Sequence, residues 1–196
     1  MKQFALIGHP VAGSLSPALF NAAYAGRYRY DLIDAPFEEA WLQFLDSYNG
    51  INVTAPYKQD AFEAVDWLSP EAAACGAVNL VVKADGKLSG NNTDVDGVGG
   101  AVLECGLEVS KALIVGAGGA ARAAIAASLR LGCQEVYVAN RTHEKARALE
   151  PMGCRAVKLS ELEALSVDLV VYTVPGDAVI SASPVIPGLT GNLPQR

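Results

Sequence analysis

Lys111-Ala112-Leu113-Ile114-Val115-Gly116-Ala117-Gly118-Gly119-Ala120-Ala121 is the stretch that decides the fold. Its first five residues form a run of strand length, and an alanine-rich helical pattern follows to Leu131, where Gly132 stops it. A strand entering a helix through Gly-x-Gly-x-x-Ala is the start of a dinucleotide-binding βαβ unit. Gly116 allows the tight turn, and Gly118 lets backbone N–H groups approach a pyrophosphate. Ala121 permits helix and strand to pack closely. Gly119 and Ala120 open the helix, whose N-terminus is the positive end of its dipole. A glycine-rich turn serving packing alone is the alternative, and the strand-to-helix context disfavours it.

Downstream, Glu135-Val136-Tyr137-Val138-Ala139 reads as the second strand and runs into Asn140-Arg141-Thr142. An acidic residue at this strand end would hold the 2′-hydroxyl of NAD. Here the acid is absent, Arg141 takes its neighbourhood, and Lys145 follows one helical turn later. A 2′-phosphate carries roughly two negative charges, which a carboxylate repels and Arg with Lys pairs. NADP is therefore the expected cofactor, bound by Gly116, Gly118, Gly119, Ala120, Asn140, Arg141, Thr142 and Lys145. The alternative for Arg141 and Lys145 is a pair of solvated surface charges. The pattern continues with a helix over 142–149, a strand over 155–158, a short helix over 160–165 and a strand over 168–172. After Pro175 it dissolves among Pro184, Pro187, Gly188, Gly191 and Pro194.

Upstream, strands are predicted over 4–8, 30–33, 50–54 and 77–82. Helices are predicted over 16–25, 38–48, 58–67 and 94–105, with Ser16 as a cap, Pro17 in the first turn and Gly106 as a stop. Residues 83–87 read as a hairpin turn. Alternating strands and helices give an α/β protein of two three-layer domains. Residues 1–106 would form a substrate-binding, catalytic domain on a mostly parallel sheet. Residues 107–196 would form a shortened, Rossmann-like nucleotide domain of four strands, with a sheet edge exposed or borrowed.

Composition narrows the function. The 196 residues carry 15 basic and 21 acidic side chains, a net charge of −6, which repels a nucleic-acid backbone. No apolar run approaches the length of a membrane span, and the N-terminus lacks a signal-peptide pattern. Cys75, Cys105, Cys133 and Cys154 are scattered without a C-x-x-C, and His9 and His143 stand far apart, so no metal is expected. Unpaired thiols fit a reducing cytoplasm.

Polar residues interrupt the first half at places where strands end: Ser14 and Ser16, Thr54 and Lys58, Asn79, and Asn91-Asn92-Thr93-Asp94. Ligands collect at the carboxyl ends of strands in α/β sheets. Each also has a structural alternative: Ser16 and Asp94 as helix caps, Asn79 as a satisfied buried amide, Lys58 as a surface lysine.

The chain resembles the shikimate dehydrogenases in Gly8-x-Pro10, Ser14-x-Ser16-Pro17, Asn21, Asn52-Val53-Thr54-x-Pro56-x-Lys58 and Gly76-Ala77-x-Asn79. The resemblance continues through Gly90-x-Asn92-Thr93-Asp94-x-x-Gly97, the Gly116–Arg122 loop and Asn140-Arg141-Thr142, in family order over roughly residues 4 to 150. It implies NADPH-dependent reduction of 3-dehydroshikimate to shikimate, on the way to chorismate and aromatic amino acids, by a monomer or homodimer. Ser14 and Ser16 would bind the substrate carboxylate, and Thr54, Asn79 and Asp94 the ring hydroxyls. Lys58 and Asp94 would be the catalytic pair.

Gly13, Tyr172 and Val174 depart from the family pattern. The family's further nucleotide-sheet strands, nicotinamide loop and returning C-terminal helix have no counterpart, and Gln195 cannot take that helix's glutamine role. The expectation is the front part of a larger enzyme. Alternatives are a quinate or polyol dehydrogenase using NAD, and a non-catalytic binding protein.

Overall fold

A computed structural model describes residues 2–174. The chain separates into two compact units, Met1–Gly97 and Val98–Arg196. The stretch 175–196, Gln195 included, lies outside the described residues.

The first unit contains β1 (Gln3–Gly8), α1 (Ser16–Tyr24), β2 (Arg29–Asp34), α2 (Phe37–Ser47), β3 (Gly50–Val53), α3 (Lys58–Ala64), β4 (Trp67–Leu68), α4 (Pro70–Cys75), β5 (Leu80–Ala84) and β6 (Lys87–Asn91). Among the described residues its sheet runs β2-β1-β3-β5-β6-β4. The pairings β1–β2, β1–β3 and β4–β6 are parallel, whereas β3–β5 and β5–β6 are antiparallel. One face of the sheet buries Ala5, Ile7, Ile33, Ile51, Val53 and Val81 against Ala40 and Phe44 of α2, Ala61 of α3 and Ala72 of α4. Each large aliphatic side chain enclosed there contributes about 1.5–3 kcal/mol of transfer free energy.

The hairpin between β5 and β6 turns on Asp85 and Gly86, both at positive φ (51° and 74°), as a two-residue primed turn requires. The turn is thus tighter than the expected 83–87.

Several expected elements shift. Leu15, not Ser16, holds the cap position of α1, and Ser16 is its first helical residue. The expected helix over 58–67 ends at Ala64, and Trp67 instead pairs with Ser89 in β4. α4 is an unanticipated helix, although its signals stand in the chain: the Ser69 hydroxyl accepts from the Ala72 amide, Pro70 follows, and Gly76 closes the helix at φ 61°.

Helix α5 (Asp94–Glu104) contains the division between the units. The second unit continues with β7 (Lys111–Val115), α6 (Gly119–Arg130), β8 (Glu135–Ala139), α7 (His143–Arg147), β9 (Arg155–Val157) and β10 (Leu169–Tyr172). A 3₁₀ turn over Leu159–Ala164 stands where a short helix is expected. The sheet, order β10-β7-β8-β9, is parallel throughout among the described residues. Its strands are apolar on both faces because both are covered. Ala112 and Ile114 pack on Ala121, Ala124 and Ile125 of α6, while Leu113 and Val115 face Tyr137, Leu162 and Val167.

Among the described residues no helix is long and apolar enough to cross a membrane.

Candidate active site

The loops leaving β1 and β3, together with the segments around Asn79 and Asn92, place the polar groups of the first unit. Lys58 is the first residue of α3, brought there by a turn in which the Tyr57 amide donates to the Thr54 carbonyl (2.9 Å). Its own carbonyl accepts from the Val78 amide (2.8 Å), which ties α3 to the Asn79 segment.

Lys58 Nζ lies 2.5 Å from Asp94 Oδ2, with the lysine side chain 15% and the aspartate 35% exposed. Asp94 opens α5, where the helix dipole favours a carboxylate, but it does not act merely as a cap. Its second oxygen, Oδ1, accepts from Asn79 Nδ2 (2.8 Å). Asn79, buried at 7% exposure, is satisfied on both ends: its Oδ1 accepts from the Thr93 amide (2.9 Å). Asn92 is more deeply buried, at 2%. It donates to the Ala77 carbonyl (2.9 Å) and accepts from the Asp94 amide (3.1 Å). Two buried asparagines therefore clamp the aspartate whose free oxygen meets the lysine. Buried amides fix geometry well when every donor and acceptor is paired.

Thr54 stands at the end of β3, where its amide donates to the Ile7 carbonyl (2.9 Å). A Cβ on Gly8 would overlap the Thr54 methyl group, so the glycine is what admits the threonine.

Ser14 and Ser16 form a second group. Ser14 Oγ donates to Ser16 Oγ (3.0 Å) and accepts from the Ser16 amide (3.2 Å). Their loop is held from β2 by Asp34, which takes the Val11 amide on Oδ2 (3.0 Å) and His9 Nδ1 on Oδ1 (2.6 Å). The Val11 amide first, then the His9 ring, hold the Asp34 carboxyl below its ordinary range. A depressed folded-state pKa stabilises the fold above the unfolded value of about 3.9, and that stabilisation is lost as pH falls through the folded value. Asp34→Ala should therefore lower Tm by a constant amount above about pH 5, with the gap to wild type closing in more acidic buffer. Thermal unfolding between pH 3 and 7 checks this; a pH-independent gap would remove the carboxylate from the explanation.

The structure thus brings Lys58, Asp94 and Asn79 into one bonded group and Ser14 with Ser16 into another. Sequence reasoning places Asn52 and Asn92 within the polar motifs without giving either a role, and it misses Tyr30 and Asp34 as site-forming residues. Asn92 has a readable signal, an amide beside an aspartate at a hairpin end; Tyr30 and Asp34 have none.

In the second unit, Gly116 has φ 122°, and a Cβ there would overlap Thr173 Oγ1. Only glycine makes this turn. Gly118 caps α6, and a Cβ there would meet nothing within 4 Å. The space beside Gly118, at the N-terminus of α6, is open, as close approach of a pyrophosphate to the backbone requires. Asn140 Nδ2 donates to the Thr142 carbonyl (2.9 Å) and shapes the loop after β8. Arg141 and Lys145 are exposed, and neither joins an ion pair among the described residues. The residues present fit a phosphorylated dinucleotide. No group of three or more His, Cys, Asp or Glu that could hold a metal occurs among the described residues.

Two family models match: the shikimate dehydrogenase substrate binding domain over residues 6–81, and shikimate/quinate 5-dehydrogenase over residues 101–186. The NADP(+) shikimate dehydrogenase of Thermus thermophilus is 42% identical over 169 residues, covering 82% of this chain. The chain spans 64% of that relative's length. The crystal structure of the shikimate 5-dehydrogenase from Thermus thermophilus, in complex with NADP(H) and shikimate, superposes with a TM-score of 0.78 at 39% identity, covering 89% of this chain and 69% of that one. The quinate dehydrogenase from Corynebacterium glutamicum, in complex with NAD, also gives 0.78, at 29% identity and covering 89% and 71%.

Proposed function

From its membership of the shikimate dehydrogenase family, to which the chain belongs, we propose that it catalyses NADPH-dependent reduction of 3-dehydroshikimate to shikimate. Residues 1–106 would hold the substrate and residues 107–196 the nucleotide. The observation that carries this reading is the Lys58–Asp94 pair, fixed by Asn79 at 2.5 and 2.8 Å.

NADPH, when bound, supplies the hydride. The residues of this chain would hold it as expected from the fingerprint: Gly116, Gly118, Gly119 and Ala120 at the pyrophosphate, and Asn140, Arg141, Thr142 and Lys145 at the 2′-phosphate. Ser14 and Ser16 would donate to the substrate carboxylate, and Thr54, Asn79 and Asp94 would position the ring hydroxyls. As the ketone oxygen gains negative charge, the Lys58 ammonium stabilises it and delivers a proton. Asp94 keeps the ammonium aimed and grips the neighbouring hydroxyl. Its location would be the cytoplasm, in keeping with four cysteines that form no disulfide among the described residues.

The test is absorbance at the nicotinamide band with shikimate or quinate, each against NADP⁺ and NAD⁺. Shikimate with NADP⁺ should give the highest kcat/KM. A preference for quinate with NAD⁺ would instead place the chain with the quinate enzymes, and binding without turnover would make it a non-catalytic binder.

A further inference from the structure

We propose that Tyr30 is a positioning residue for the carboxylate end of the site, setting the direction of the Ser16 hydroxyl and the Asn52 amide. The inference rests on the assignment of Ser14 and Ser16 to the substrate carboxylate made above.

Strand register brings the three groups to one face. Tyr30 pairs with Phe4 across β1–β2, and Leu6, two residues on from Phe4, pairs with Asn52 across β1–β3. Side chains alternate along a strand, so Tyr30 and Asn52 share the face that carries α1. The phenol donates to Asn52 Oδ1 at 2.8 Å. The Ser16 hydroxyl adjoins the phenol closely enough to oppose the effect of its burial. With Ser14 donating to Ser16 at 3.0 Å and Tyr30 donating to Asn52, the hydroxyls line up from the serine loop through the phenol to Asn52. The ring is held by its neighbour Phe20, with centroids 4.5 Å apart, and Phe20 stacks in turn on Phe4 and Tyr24. Tyr30 also walls a cavity of about 330 Å³ beside these rings, with Asn52 on the same wall. Burial pushes the phenol up to about 12, against the opposing Ser16 bond, so it stays protonated and a donor throughout the neutral range.

The consequence lies in what each polar atom can then offer an anion. An amide whose oxygen is already engaged by a phenol O–H is fixed with its NH₂ end free of that role. Asn52 Nδ2 reaches toward the Asn79 carbonyl at 3.4 Å, beside the residue that clamps Asp94. When a carboxylate arrives, the Ser16 hydrogen can turn from Tyr30 to the ligand while the phenol keeps Asn52 in place. Without the phenol oxygen, Asn52 loses its donor and keeps only the 3.4 Å bond to the Asn79 carbonyl, so its oxygen is freer to turn toward a bound anion.

The experiment is calorimetric titration of wild type and Tyr30→Phe with shikimate, shikimate methyl ester and NADP⁺. The phenylalanine keeps the ring contacts and removes one oxygen. Loss of the phenol's hydrogen bond to Asn52 predicts roughly 3–10-fold weaker binding of shikimate. The methyl ester, which has no charge for the serines to meet, should change less than about 2-fold, and NADP⁺ should not change. Equal weakening of acid and ester, or no change for either, overturns the positioning role. If wild type binds NADP⁺ but neither shikimate nor its ester, the carboxylate assignment fails first and Tyr30 falls with it.

Discussion

Lys58→Ala should lower kcat for shikimate oxidation by about 10²–10⁴-fold, the range ascribed to a positioned general acid or base, while KM moves less than about 10-fold. The split follows from the geometry. Lys58 is mostly enclosed, and its ammonium is fixed by one Asp94 oxygen while Asn79 holds the other. On the proposed assignment, substrate binding would draw on several groups that survive the substitution: the two serine hydroxyls, Thr54 and the Asn79–Asp94 pair. The negative charge on the reacting oxygen appears only as hydride moves, so the group that meets it affects the transition state more than the ground state. Asp94, one-third exposed, keeps Asn79, water and its place at the start of α5, so the fold should persist. Steady-state kinetics, with Tm as a control, checks this. Comparable losses in kcat/KM and in affinity would leave Lys58 a binding residue.

The parts of the fold that are legible in the chain are those with strong local signals. The run from Ala112 to Val115 is apolar because α6 covers one face of its strand and Leu162 of the 3₁₀ turn, with Val167, the other, and the turn at Gly116 needs a glycine at φ 122°. Residues 58–67 mislead because α3 and β4 differ only in what they meet: Trp67 is extended solely through pairing with Ser89, a contact 22 positions away. Ser16 misleads in the opposite sense. A Ser-Pro pair carries a cap signal, yet here Leu15 takes the cap position and the Ser16 hydroxyl is engaged by Ser14.

The site divides in the same way. Asn79 stands out because an amide interrupts an apolar run, although β5 itself starts only at Leu80, and Lys58 and Asp94 because they sit beside strand ends. Their distance of 2.5 Å is set by the buried Asn92 and by the Val78-to-Lys58 backbone bond, neither of which leaves a periodicity to read. Tyr30 and Asp34 look like ordinary residues of a strand. Only the register of β2 against β1 shows that they stand over the serine loop.

Arg141→Ala should weaken NADP⁺ binding by about 10-fold and the double change with Lys145→Ala by about 100-fold, with NAD⁺ affinity nearly unchanged. A charge-assisted hydrogen bond contributes about 1.5–3 kcal/mol, and exposure of both side chains places these at the lower end. Their number matters because the rest of the chain works against the ligand. With a net charge of −6, the protein repels an anion at long range, so attraction to the 2′-phosphate must come from local cations. Arg141 follows Asn140, whose side chain ties the loop to Thr142, so the guanidinium starts from an ordered backbone. Lys145 lies on α7, whose turn begins with its amide donating to the Thr142 carbonyl (3.1 Å). Binding measured by calorimetry needs no turnover, and so stands apart from the fate of Lys58. The wild-type preference for NADP⁺ should shrink as salt rises, because exposed charges are screened over about 10 Å at 0.1 M. In the double variant that salt dependence should largely vanish. Equal loss of NADP⁺ and NAD⁺ affinity would show that Arg141 shapes the loop rather than reading the phosphate.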